Sequence, residues 1–286
     1  MIKNIYRHRS FLGTQFMGVL GAFAILLTII VPTPRIEGLL SKNAWVFYAI
    51  VFALAFIWAF GRLLFATSDV TFRIRSTTTD VSIIFDDIFK QDGSIIVPVS
   101  TRFRHQLKTE HGGSVRPGSV HGQLISHLGG ERNFCDALKK QLDDCTASSD
   151  GSIEEETADF PLGTVVTIKR PSVGIKQLGY FHLVAMTEEE EKTGMTSTNL
   201  PILVSTLSDA LDKITLREDA KQLVMPLIGD GYGRIKLEEE NLLDVLVATV
   251  SEFFRRTKGD HNVTFVLRAD LKGELKLYNI RSEWKA

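Results

Sequence analysis

The chain has 286 residues, 44% hydrophobic and 23% charged, and its 33 basic and 34 acidic side chains leave a net charge of −1. That balance excludes a protein that coats polyanions, so no nucleic-acid partner is expected. The two cysteines, Cys135 and Cys145, fit a reducing cytoplasm and lack metal-ligand spacing, so no metal site is expected either.

The N-terminal quarter reads as membrane-spanning. From Phe11 to Val31 no residue is charged, and Gln15 is the one strongly polar side chain. At about 1.5 Å per residue this run extends roughly 31 Å as a helix, enough to cross a bilayer core. A second apolar run starts at Ala44 and continues to Phe65, with Arg62 placed to snorkel and Trp45, Tyr48 and Trp58 towards its ends. A cleaved signal peptide fits less well, because the first run is too long and no small-residue cleavage site follows. Residues 1–67 are therefore expected to form a membrane hairpin, with spans at about 11–31 and 44–65. Lys3, Arg7 and Arg9 before the first span, and Arg62, Arg73 and Arg75 at or after the second, outnumber Arg35 and Lys42 in the connector. The positive-inside bias predicts both chain ends in the cytoplasm, in a two-span protein of the cell inner membrane. Small residues at Gly18/Ala22, Ala49/Ala53 and Ala55/Ala59 permit close helix packing and a homo-oligomer.

Residues 68–286 alternate strand and helix patterns. Apolar runs at Val81–Phe85, Ser94–Val99, Thr164–Ile168, Phe181–Met186, Gln222–Ile228, Val263–Leu267 and Leu275–Ile280 predict strands, several of them covered on both faces. Helical periodicity runs from Asn199 to Ala220, and again from Glu239 to Arg256, with Glu238 to Glu240 at the start and Arg255 and Arg256 at the end matching the helix dipole. The class is α/β, a mixed sheet flanked by helices. Two polar, acidic stretches, from Cys145 to Phe160 and from Thr187 to Asn199, read as solvated surface insertions.

Three stretches suggest a site. "PLIGDGYGRI", Pro226 to Ile235, packs Gly229, Gly231 and Gly233 between a strand and a helix pattern. So much bare backbone fits a phosphate cradle, and fits a tight turn with no ligand equally well. "HGGSVRPGSVHGQLISHL", His111 to Leu128, is a second glycine-rich loop running into a helix near Val120. In "FDDIF", Asp86 and Asp87 end the first strand, where a carboxylate can accept from an adenine amino group or cap a helix.

These stretches, in this order, resemble a macro domain, the module that binds ADP-ribose. Asp87-Ile88 match the last two positions of the family's Gly-Asp-Ile motif, whose Asp holds adenine. "IIVPVS" resembles its next strand, and Ser119, Val120, His121 and Gly122 resemble its first phosphate loop. "PLIGDGYG" resembles the second, with Tyr232 where an aromatic ring covers the distal ribose. With the apolar hairpin in front, the whole is similar to the membrane-linked effectors of type II Thoeris anti-phage defence. The resemblance implies an effector, not an enzyme, whose macro domain binds histidine–ADP-ribose made by a partner TIR-domain protein. It further implies that binding drives oligomerisation of the spans in the lipid bilayer, membrane disruption and abortive infection. The implied ligand-binding residues are Asp87, Ile88, Ser100, Ser119, Val120, His121, Gly122, Gly229, Asp230, Gly231, Tyr232, Gly233 and Arg234. Ser100 stands where macro hydrolases often carry Asn, which favours a reader of ADP-ribose; a membrane-anchored ADP-ribosyl hydrolase is the alternative.

Several of these residues have plainer roles open to them. Asp230 fits a turn-forming Asp as well as a contact to the ligand's amino group. His121 fits a phosphate donor or a local hydrogen bond, and Arg234 a pyrophosphate contact or an exposed base. His182, in an apolar strand, reads as a packed core histidine. Asp86 and Asp87 can act as an acid/base pair only if their strand has already ended.

Overall fold

The computed structural model describes residues 17–18, 21, 52–58, 69–110, 113–146, 159–170, 179–189, 196–216, 221–229, 235–272, 275, 277 and 280. The chain divides into two compact units, residues 1–68 with 270–279, and residues 69–269 with 280–286.

In the first unit the expected membrane hairpin is not upheld. No helix among the described residues is long and apolar enough to cross a membrane. The helix at 52–58 spans about 10 Å, a third of a bilayer core of roughly 30 Å. The inner-membrane, two-span localisation is corrected accordingly; most of the runs 11–31 and 44–65 lies outside the described residues. The strand expected at Leu275–Ile280 is corrected too, since Leu277 and Ile280 are helical.

The second unit is built on one sheet of eight strands: β1 (Val70–Arg73), β2 (Asp80–Phe85), β3 (Ser94–Ser100), β4 (Val165–Lys169), β5 (Tyr180–Glu189), β6 (Thr196–Ser197), β7 (Gln222–Pro226) and β8 (Asn262–Leu267). Among the described residues four α-helices accompany it: α1 (Val120–His127), α2 (Glu131–Thr146), α3 (Leu200–Thr215) and α4 (Glu239–Thr257). The order across the sheet is β1-β2-β8-β7-β3-β5-β4, with β6 paired to β5. The five central strands, β2, β8, β7, β3 and β5, run parallel, while β1, β4 and β6 pair antiparallel to their neighbours.

The sequence explains this arrangement. Ile95, Ile96 and Val97 of β3, Leu223, Val224 and Met225 of β7, and Leu183, Val184 and Ala185 of β5 are all fully buried, as continuous apolar runs in a parallel sheet require. Helix α3 starts where the Asn199 side chain accepts from the Ile202 amide at 2.9 Å, and buries Leu203, Leu207, Ala210, Leu211 and Ile214. Helix α4 buries an apolar face from Leu242 to Phe254 and ends on Lys258 in the left-handed region, φ 52°.

One acidic stretch is more ordered than expected. Strand β5 runs on to Glu189, and β6 returns beside it with Glu188 opposite Ser197 and Glu189 opposite Thr196. The two flanks of the second polar insertion thus form a hairpin, and residues 190–195 lie outside the described set.

Candidate functional site

The carboxyl ends of β2, β3, β5, β7 and β8 converge on a cavity of about 840 Å³. Open α/β sheets place ligands in such a crevice. What opens it is visible in the pairing of β3. Strands β3 and β7 share register at Ser94↔Leu223 and Ile95↔Val224 and no further, whereas β3 stays paired with β5 up to Ser100. Pro98, in the middle of β3, has no amide to donate to a ladder. Pro98 and Pro226 both line the cavity. A register shift at Val99/Ser100 sets Ser100 opposite Thr187, leaving both Met186 and Thr187 in the wall.

At the β2 side, the strand ends at Phe85 and the Asp86 amide donates to the Leu267 carbonyl at 3.2 Å. The Asp86 carboxylate accepts from the Asp87 amide and from Gln91 Nε2, both at 2.8 Å. The amide, then the Gln91 side chain, hold Asp86 below the usual carboxylate range. A carboxylate held in its ionised form is poorly suited to act as a general acid. Asp87 caps the short 3-10 turn Ile88–Lys90, its Oδ1 accepting from the Phe89 amide at 3.0 Å. Asp86, Asp87 and Ile88 all line the cavity.

At the α1 side, Ser119 is the helix cap, with extended backbone at φ −74° and ψ 157°. Its Oγ accepts from the Gly122 amide at 3.0 Å and donates to the Arg116 carbonyl at 2.7 Å. The first amides of a helix, here Val120 and His121, have no acceptor within it and carry the positive end of its dipole. Ser119, Val120 and His121 line the cavity, and so does Arg116. Gly122 is not in the lining. A Cβ there would lie 2.2 Å from the Arg116 carbonyl oxygen, so glycine is what lets the Arg116–Ser119 turn close on the helix.

His121 is 8% exposed and packs against Phe134, ring centroids 5.4 Å apart. Its Nε2 is buried without a hydrogen-bond partner. Burial, helped by the charge of His105, pushes its pKa down to about 4, so the ring is neutral near pH 7.

Beyond Ser100 the wall carries an ion pair. Arg104 Nε and Nη2 donate to the two Glu189 oxygens at 3.3 and 3.2 Å, and the Glu189 side chain is 5% exposed. The neighbouring Thr198 Oγ1 is buried without a partner. Lys108 and Arg268 add further positive charge to the lining.

Of the residues expected from sequence, Asp87, Ile88, Ser100, Ser119, Val120, His121 and Gly229 come together around this cavity. Gly229 has φ +101°, a conformation that favours glycine at the end of β7. Asp230, Gly231, Tyr232, Gly233 and Arg234 lie outside the described residues. His182 is a core residue, fully buried, its Nδ1 3.1 Å from Thr167 Oγ1. Sequence reasoning missed Arg104, Lys108, Arg116, Glu189, Thr198 and Arg268.

Residues 81–268 match a family model described as "Thoeris protein ThsA, Macro domain". The fold is similar to that of a single-residue variant of the Oceanobacillus iheyensis macrodomain with ADPR, at TM-score 0.50 and 13% identity, covering 76% of this chain and 98% of that one. Two further similar structures are the Oceanobacillus iheyensis macrodomain with ADP (TM-score 0.49, 14% identity, 76% and 96% coverage) and the Trypanosoma brucei macrodomain in complex with ADP-ribose (0.43, 9%, 71% and 68%). No curated protein matches the chain.

Proposed function

Because the chain belongs to the Thoeris ThsA macro-domain family, we propose that it is an anti-phage defence effector whose crevice binds an ADP-ribose-type signal. The signal we favour is histidine–ADP-ribose made by a partner TIR-domain protein, and its binding drives association of the macro domains into a homo-oligomer. No bilayer step belongs to this proposal, since no described helix would carry one.

The observation that carries it is the pairing of two complementary features around one cavity. The Asp87 carboxylate stands on the β2 side, where a nucleobase amino group has an acceptor. The start of α1, with first amides that have no acceptor within the helix, stands on the other, where a pyrophosphate has donors.

The chemistry of the lining favours a reader over a hydrolase. Ser100, which lines the crevice, stands where macro hydrolases often carry Asn, and His121, held neutral by burial, is not protonated to serve as a general acid near pH 7. For oligomerisation, ligand must bind one arrangement of the domains better than another, because only differential affinity shifts an equilibrium.

Calorimetry of the full chain with ADP-ribose and with its histidine conjugate tests the binding. Light scattering with and without ligand tests the association. The expected outcome is a tighter Kd for the conjugate, a rise in mass on its addition, and no release of ADP-ribose from modified substrates. Absence of binding to both nucleotides rejects the proposal, and steady turnover replaces it with the hydrolase.

A further inference from the structure

We propose that Arg170, remote from the crevice lining, is a positioning residue that fixes the turn bearing Asp87. Arg170 follows β4 and is 2% exposed. Its Nη1 donates to the Gln91 carbonyl at 2.6 Å and the Gly93 carbonyl at 2.9 Å, and its Nη2 to the Phe89 carbonyl at 2.5 Å. All three acceptors belong to the five residues from Phe89 to Gly93, which connect the Asp87 turn to β3. One planar guanidinium therefore holds that connection from its inner side.

The same cation also reaches α1. Its guanidinium carbon lies 5.5 Å from the centre of the Phe181 ring. Phe181 and Phe89 each pack on His127, at 5.9 and 5.2 Å between ring centroids. His127 ends α1, whose opposite terminus faces the crevice. Arg170, Phe181, Phe89 and His127 thus form one packed cluster beneath both polar features of the cavity.

A purely structural account is weak, because a buried cation is costly even with the charge of Asp92 offsetting part of its desolvation, and an apolar side chain of similar volume would fill the space without that cost. The guanidinium provides what an apolar side chain cannot, a rigid fork that holds several carbonyls at fixed angles. Lysine cannot replace it, since its point charge has neither the planar fork nor the stacking face.

The inference rests on the nucleotide reading of the crevice, and its test separates the two. In the full chain, Arg170→Met and Arg170→Lys are each measured for ADP-ribose affinity, alone and combined with Asp87→Ala. Either change is expected to weaken binding about 10-fold alone, and less than about 2-fold when Asp87 is already alanine, because a residue acting through Asp87 has nothing left to position. Unchanged affinity in the single variants overturns the inference, and so does an equal loss in both backgrounds. Should Arg170→Met not fold, Arg170→Lys gives the same cycle. A second measurement needs no ligand: amide exchange at Phe89, whose N–H donates to Asp87, is expected to quicken about 10-fold in Arg170→Lys as local opening becomes easier. If that exchange is unaltered the positioning role is wrong, whatever the wild type binds; if the wild type binds no ADP-ribose, the nucleotide reading fails on its own.

Discussion

On the β2 side of the crevice both aspartates are already engaged, Asp86 by an amide and a glutamine, Asp87 by the amide of its own turn. On the α1 side the opposite holds: the His121 ring has a buried nitrogen with no partner, and the first helix amides await an acceptor. A pre-paired group is rigid and gives up little on binding, so it selects by shape and direction. An unpaired buried group gains a full hydrogen bond when a ligand arrives. If the crevice takes a nucleotide as proposed, the contrast predicts that affinity comes mainly from the α1 side and selectivity mainly from the β2 side.

The sharpest way to break this contrast is to displace α1. Gly122→Val puts a side chain into the Arg116 carbonyl, and a loss of about 2–4 kcal/mol of folding stability is expected from the forced backbone shift; urea unfolding measures it. An unaffected midpoint would mean that the turn is looser than its geometry says. Next in size, Asp87→Ala should weaken ADP-ribose by about 1.5–3 kcal/mol, the range for hydrogen bonds to charged groups, while leaving inorganic pyrophosphate binding unchanged. Calorimetry with both ligands decides whether Asp87 reads the base or merely braces its turn.

A pH series probes the α1 side. In the unfolded chain His121 protonates near 6.5, whereas the folded site resists protonation down to about 4. As pH falls through 6.5 the unfolded state takes up a proton that the fold refuses, so this stability is lost from about 6.5 down to about 4 and is intact above. The fold should be about 2 kcal/mol less stable at pH 5 than at pH 8 on this account alone, and His121→Gln should flatten that limb. The smallest effect is expected from Ser119→Ala, which removes the cap to the Gly122 amide at about 1 kcal/mol. Thermal melting resolves it, and nucleotide affinity should fall only a few-fold, since the helix amides remain.

Much of the sheet was legible because its chemistry is local. The runs of β3 and β7 are buried and apolar in their middles, β2 and β8 each carry one fully apolar face, and the helix caps Ser119 and Asn199 stand directly before their periodic segments. What stayed hidden depends on partners far away in sequence. Arg104 and Glu189 are 85 residues apart and meet only because β3 and β5 are neighbours. Arg170 looks like an ordinary strand-end base until three carbonyls from another segment surround it. Gly122 read as part of a phosphate loop, but its missing side chain serves a packing contact with Arg116. The membrane hairpin shows the converse error: apolar composition over two runs predicted spans, and no described helix reaches the required extent.

The strand order has a last consequence. From β2 to β5 the crevice crosses four gaps between parallel strands, which at about 4.8 Å for paired strands sets a width of at least roughly 19 Å, since β3 and β7 have parted at that level. Under the proposed nucleotide reading, that width is the span over which a ligand's two ends are held, and a shorter molecule engages fewer strands of the sheet.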